Sequence, residues 1–354
     1  MILGFDIASE YEMLAILLLS AISGNAISPY DHRVDYIGRF DRRDPKGPKG
    51  SWPAVEAKLV VRGTGLFLTV DDTGPNWLQV VVDGSPTRAV ELEPGIQTLD
   101  VQTPAGGTHT YEFEKRTEAE VGTVQFLGYE PQGKLLPAHR DRRLIEIVGD
   151  SISCGYGNEA TNQYEHFRPA TEDAFMSYGS VAARHLDSDV EIIAWSGRKM
   201  WPDNTVPEIY DLNIPTDESS VFDFKGPDPE AIVVNLATND FAKENPDEGE
   251  WTSAYKSFLE RLRYHYHNAM IYAAIGSMMS DTYPAGRHAL STVRSYLVHV
   301  LNLMKRQGDK RLRLLEFAPQ DASDGYGADW HPSEKTDEKM AIKLELALKH
   351  DLHW

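Results

Sequence analysis

From about Tyr36 to Gly128 the apolar residues come in short runs: Lys58–Val61, Leu66–Val70, Leu78–Asp83, Thr108–Lys115 and Val121–Leu127. In the fourth run Tyr111 and Phe113 stand two apart, the period of a half-buried strand. Gly63, Gly65, Gly74, Asp83-Gly84 and Gly106-Gly107 supply closely spaced turns, and no helical stripe interrupts them. The pattern predicts an antiparallel β-sandwich.

After Pro131-Gln132-Gly133 and the polar, basic segment Pro137–Arg143 the pattern changes. Short apolar strands are predicted at Leu144–Val148, Val190–Ala194, Ala231–Leu236, Ala269–Ile275 and Arg311–Phe317. Helices are predicted between them, at Glu172–Leu186, at Trp251–Tyr264, along the stripe from Leu290 to Met304, and at Ser333–Leu348. Strands this apolar, alternating with helices, specify an α/β domain with a parallel sheet covered on both faces. The chain divides into residues 1–33, a leader-like segment, 34–138, the β-sandwich, and 139–354, the α/β domain.

Charge narrows the partners. Over 354 residues, 54 Asp+Glu against 35 Lys+Arg leave a net charge of −19, a field that repels phosphate backbones and argues against nucleic acid. The single cysteine, Cys154, forms no internal disulfide and no thiolate metal site. His265-Tyr266-His267 lies at a helix end, where the two imidazoles diverge rather than share an ion. No apolar run is long enough to span a bilayer, so no membrane partner is expected. Leu14–Ile22 has the character of a signal-peptide core and Gly24-Asn25-Ala26 offers small residues for cleavage. Asp6, Glu10 and Glu12 precede it where positive charge belongs, an objection that a start at Met13 would weaken.

Ligands of open parallel sheets bind beyond the carboxyl ends of the strands. The residues following the predicted strands are Gly149-Asp150-Ser151, Trp195-Ser196-Gly197-Arg198, Ala237-Thr238-Asn239-Asp240, Gly276-Ser277-Met278 and, at some distance, Asp329-Trp330-His331-Pro332. A hydroxyl, a glycine, an amide and an imidazole thus share one rim. Ser151 needs a base to become nucleophilic, and His331 is the histidine at a strand-end loop. The backbone N–H of Ser151, the backbone N–H of Gly197 and the Asn239 amide are the candidate oxyanion donors.

These blocks, Gly149–Glu159 (GDSISCGYGNE), Ala194–Gly197 (AWSG), Asn235–Phe241 (NLATNDF) and Asp329–Pro332 (DWHP), resemble the SGNH (GDSL-like) hydrolase superfamily. With Tyr36–Phe40, Ser51-Trp52-Pro53 and Val82-Asp83-Gly84 upstream, the chain is similar to carbohydrate esterase family 2 over about residues 34–350. The resemblance implies a flavodoxin-like three-layer hydrolase domain behind an all-β jelly-roll domain. It also implies a secreted, extracellular serine esterase that removes acetyl groups from plant cell-wall polysaccharide, acetylated xylan or manno-oligosaccharides. No cofactor and no metal are expected, and a monomer is.

Two positions depart from the family pattern: Ala237 stands where glycine usually opens the third block, and Lys199 where glycine commonly follows the second. They keep a rival reading in view, a weakened esterase that serves as a carbohydrate-binding protein. Asp329 is the candidate third catalytic member, but it lies two residues before His331 rather than the more usual three. A Ser–His dyad oriented by a backbone carbonyl is the alternative. Trp330, Trp201 and Tyr156 are candidates for stacking on a sugar ring.

Overall fold

Along the longest apolar stretch of the front domain, Leu66, Leu68 and Val70 are fully buried while Phe67 and Thr69 are only partly so. That alternation places one face of the strand on a core. The computed structural model describes residues 26–138 and 143–354. Residues 1–25 of the leader-like segment 1–33, and part of the predicted boundary segment, therefore lie outside the described residues.

The front domain has strands β1 (Asp35–Ile37), β2 (Phe40–Asp41), β3 (Lys49–Gly50), β4 (Glu56–Asp72), β5 (Trp77–Val82), β6 (Ser85–Glu91), β7 (Gly95–Lys115) and β8 (Val124–Leu136). All pairings are antiparallel, in the order β2-β3-β8-β4-β7-β5-β6 with β1 beside β4. The two predicted runs Lys58–Val61 and Leu66–Val70 are halves of β4, because the glycines between them form a bulge rather than a turn. The register against β7 shifts between Gly63 and Gly65. Pro131-Gln132-Gly133 likewise lies inside β8. Pro131 pairs with Leu66 beside a second register shift, where its missing N–H costs the ladder least.

The second domain carries five parallel strands, β9 (Leu144–Gly149), β10 (Asp189–Ala194), β11 (Ala231–Asn235), β12 (Met270–Ile275) and β13 (Leu312–Glu316), in the order β10-β9-β11-β12-β13. This is the flavodoxin-like order. Its helices are α1 (Ser151–Cys154), α2 (Tyr178–His185), α3 (Val206–Ile209), α4 (Glu248–His265), α5 (Ala289–Arg306) and α6 (Glu334–Leu352). Ile145, Ile147, Ile192 and Val233 pack on α2 and α6, while Val148, Ile193, Ile232 and Val234 pack on α4 and α5. The helix predicted from Glu172 begins only at Tyr178. Asp173 instead caps a single 3-10 turn at Ala174–Met176, accepting the Phe175 N–H at 3.0 Å. Among the described residues no helix is long and apolar enough to cross a membrane.

The front-domain core runs without a break into the α4/α5 layer of the second domain. Arg39 crosses the boundary fully buried, with Nη2 at 3.0 Å from Glu146 of β9 and Nε at 3.0 Å from Glu191 of β10. Tyr210 and Phe222 cover its guanidinium. Removing one partner of a buried pair leaves charge uncompensated, at a cost of about 3–5 kcal/mol. Arg39→Met is therefore expected to lower unfolding free energy by about that amount in urea titration; a loss under about 1 kcal/mol would contradict this role. A second prediction concerns Ala237, buried at φ 154°, where an L side chain is strained. Ala237→Gly is expected to leave the urea midpoint unchanged or raise it, whereas Ala182→Gly, inside α2, loses about 1 kcal/mol. Equal losses would show that Ala237 is unstrained.

Candidate active site

β9 ends at Gly149, which pairs with Ala194 of β10 on one side and Asn235 of β11 on the other. The loops carrying Ser151, Gly197 and Asn239 therefore leave the sheet side by side. Asp150 caps α1, its Oδ1 accepting the Ile152 N–H at 3.1 Å, and this sets Ser151 at the first helical position. Asp150 is fully buried, and its Oδ2 has no partner among the described residues. Burial pushes its carboxyl up to about 7. It organises the loop rather than facing the reacting atoms.

His331 arrives on a tight turn. Asp329 and Trp330 both take left-handed backbone conformations, with φ of 50° and 66°. The turn brings the Ala328 carbonyl against the imidazole, where it accepts from Nδ1 at 3.0 Å. A carbonyl only accepts, so Nδ1 carries the proton and Nε2 offers its lone pair. Nε2 lies 2.8 Å from Ser151 Oγ. Burial holds the His331 pKa below the ordinary histidine value, opposed by the Ala328 carbonyl and the Asp329 charge.

The turn is stitched to the nucleophile loop. Ala328 N–H donates to the Gly157 carbonyl at 2.9 Å and Asp329 N–H to the Glu165 carbonyl at 3.0 Å. Gly157, at φ 56°, permits this approach: a Cβ there would lie 2.4 Å from Ala328 Cβ.

The same turn removes Asp329 from the place of a third catalytic member. Its left-handed backbone sends the carboxylate outward, where Oδ2 accepts from Tyr156 OH at 2.9 Å and Oδ1 bonds His166 Nδ1 at 2.8 Å. Burial raises the Asp329 pKa, but these two bonds outweigh it and leave the carboxyl below its usual range. Tyr156 is placed differently from the sugar-stacking expectation. Its ring lies 4.1 Å from the His331 ring, centroid to centroid, and 4.9 Å from Phe167, so it backs the imidazole. Trp201 is half-buried against the core, with its backbone N–H bonded to Asp240 at 2.9 Å. Trp330 is 49% exposed and flanked by Tyr164 and Tyr326, leaving an aromatic surface open beside His331.

Gly197 sits at φ 76°, a conformation that suits glycine. Among the described residues neither this N–H nor that of Ser151 is spent on a hydrogen bond. Asn239 Nδ2 gives one hydrogen to the Arg198 carbonyl at 2.9 Å and keeps the other. Lys199 adopts ordinary backbone in a bridge with Thr205, and its Nζ pairs with Asp203 at 2.8 Å, so its charge is neutralised locally.

The sequence assigned no supporting role to three acidic residues. Asp240 takes the Met200 and Trp201 backbone N–H groups and Trp251 Nε1, tying the second and third loops together. Glu118 and Glu172 lie fully buried where the domains meet, with Cys154 Sγ 3.8 Å from Glu118 Oε2. Burial pushes the Cys154 thiol well up, which keeps it protonated and inert.

Among the described residues two clusters have metal-ligand chemistry, Glu118/Cys154/Glu172 and Glu159/Asp173/Glu334. The first is engaged by backbone N–H groups and the second by the Arg116 guanidinium. His265 stacks on Phe224 with centroids 3.7 Å apart, and His267 Nδ1 bonds the Arg263 carbonyl at 3.1 Å.

Residues 36–138 match the model of the carbohydrate esterase 2 N-terminal domain, and residues 147–339 that of the GDSL-like lipase/acylhydrolase family. The chain is 38% identical to the cellulase/esterase CelE of Acetivibrio thermocellus over 90% of its own length, but it spans only 39% of that relative. It is 26% identical to an acetylxylan esterase/glucomannan deacetylase of Cellvibrio japonicus, covering 94% of this chain and 92% of that one. Its fold is similar to a Clostridium thermocellum family two carbohydrate esterase solved in complex with cellohexaose. That match has a TM-score of 0.86 at 38% identity and covers 91% of this chain and 99% of the other. With its front domain matched over residues 36–138, and with 38% identity to a solved family member of which it covers 99%, the chain belongs to the family two carbohydrate esterases of the GDSL-like hydrolase group.

Proposed function

We propose that the chain is a carbohydrate O-acetyl esterase acting outside the cell on acetylated xylan or mannan-type chains by a Ser–His acyl-enzyme mechanism. The observation that carries the reading is the 2.8 Å contact between Ser151 Oγ and the unprotonated His331 Nε2. Support for a sugar substrate comes from the exposed Trp330 face and from relatives named as acetylxylan esterases or solved with cellohexaose.

Ser151 Oγ attacks the acetyl carbonyl carbon as Nε2 takes its proton. The carbonyl oxygen, now anionic, is met by the N–H groups of Ser151 and Gly197 and the remaining Asn239 amide hydrogen. The imidazolium returns its proton to the departing sugar oxygen, leaving acetyl on Ser151. Water then attacks with the same base and acid, releasing acetate. The Ala328 carbonyl serves throughout as acceptor for Nδ1–H, so the ring neither flips nor loses its tautomer. The rival reading, a decayed site that only binds sugar, gains nothing from Lys199 or Ala237, since the Ser–His bond is intact beside both.

Ser151→Ala and His331→Ala are each expected to lower kcat on a soluble acetylated xylo-oligosaccharide by about a thousandfold or more. Asp329→Ala should cost less than about a hundredfold, because its carboxylate is not on the imidazole. Equal, severe losses at His331 and Asp329 would contradict the dyad. The acid limb of kcat/KM should have its midpoint below about pH 6.5, the ordinary histidine value, because the active base is neutral and burial disfavours its protonation. A midpoint above that value would show a carboxylate-stabilised imidazolium instead.

A further inference from the structure

The loop that carries Gly197 is held from two sides, and one of them belongs to the other domain. β7 ends at Lys115, and the chain continues through Arg116 and Thr117 to Glu118. This segment is built into the hydrolase domain. Arg116 O accepts the Ala174 N–H at 2.9 Å and Glu118 N–H donates to Glu172 Oε2 at 2.9 Å, while Lys115 Nζ braces the segment itself by donating to the Thr117 and Glu118 carbonyls at 2.6 and 3.0 Å. So anchored, Glu118 projects its carboxylate to Ser196, where Oε2 accepts the backbone N–H at 2.6 Å. Ser196 immediately precedes Gly197. On the far side of the glycine the Arg198 carbonyl accepts from Asn239 Nδ2.

Resting on the acyl-transfer reading above, we propose that Glu118 is a positioning residue for the oxyanion site. Through the Ser196 N–H, it fixes the peptide that aims the Gly197 N–H at the developing negative charge. The front domain thereby supplies a part of the active site without touching the substrate.

The chemistry of the surroundings fits a hydrogen-bond acceptor better than a charge. Glu118 and Glu172 are buried together, and burial raises the pKa of both, that of Glu172 well above its ordinary value. The nearby Lys115 is also buried, which pulls its pKa down to about 8. Two carboxylates with one amine in such a space favour a retained proton over two full charges. What Ser196 needs is an oxygen at the correct distance.

That distinction sets the test. Glu118→Gln keeps the length and one acceptor oxygen, and its amide can donate to Glu172 Oε1, which has no partner among the described residues. Glu118→Asp keeps the carboxylate but withdraws it by about 1.5 Å, beyond hydrogen-bond reach of a donor now 2.6 Å away. On an aryl acetate, with each variant held well below its unfolding midpoint, Glu118→Gln is expected to keep kcat within about threefold of the parent. Glu118→Asp is expected to lose about tenfold or more in kcat with KM within about twofold, the signature of an interaction made in the transition state. The opposite order, two variants equal to the parent, or losses that only follow the unfolded fraction would overturn the proposal. Ser151→Ala measured alongside separates the two claims: if it keeps turnover, the acyl-enzyme reading fails whatever Glu118 does.

Discussion

The bond between Ser151 Oγ and His331 Nε2 joins residues 180 positions apart, and most of the second domain serves to hold it. One end is fixed by the Asp150 cap on α1 at the tip of β9. The other is a turn that could not stand alone, since two of its residues occupy left-handed backbone. Its hydrogen bonds to Gly157 and Glu165, and the packing of Tyr156 under the imidazole, offset that strain.

The turn also accounts for the chemistry of the base. By presenting the Ala328 carbonyl rather than the Asp329 carboxylate to Nδ1, it orients the ring without adding a full charge beside it. Burial, acting against the Ala328 bond, disfavours the imidazolium and leaves the ring ready to accept the Ser151 proton. Asp329 keeps a structural task, tying Tyr156 and His166 to the turn. At the domain boundary the same economy of charge appears in a different form. Arg39 bridges Glu146 and Glu191 inside the sheet, so the front domain is bound by ions as well as by a shared core.

Much of this was legible in the residues themselves. Runs such as Ala231–Leu236 are apolar on both faces, which only a covered parallel strand requires, and the first three are followed by the loops of Ser151, Gly197 and Asn239. The long strands were less legible, because glycine marks a turn and a bulge equally well. Gly63 and Gly65 proved to be the latter. The direction of the Asp329 side chain depends on a positive φ at a non-glycine residue, which no spacing rule conveys. Glu118 was invisible for another reason: its role arises from contact between domains, and a single glutamate after a strand reads as solvent-facing until the boundary is seen.

The central claim is that acetyl passes through Ser151 while His331 manages the proton. It is tested most directly by mixing the protein with excess aryl acetate, quenching within the first turnovers, and locating acetyl by peptide mass spectrometry. The account predicts one acetyl group per chain, on Ser151, with a burst of aryl alcohol of matching size wherever deacylation is the slower step. Acetyl found on another residue, or parent-like turnover that persists in Ser151→Ala, would contradict it.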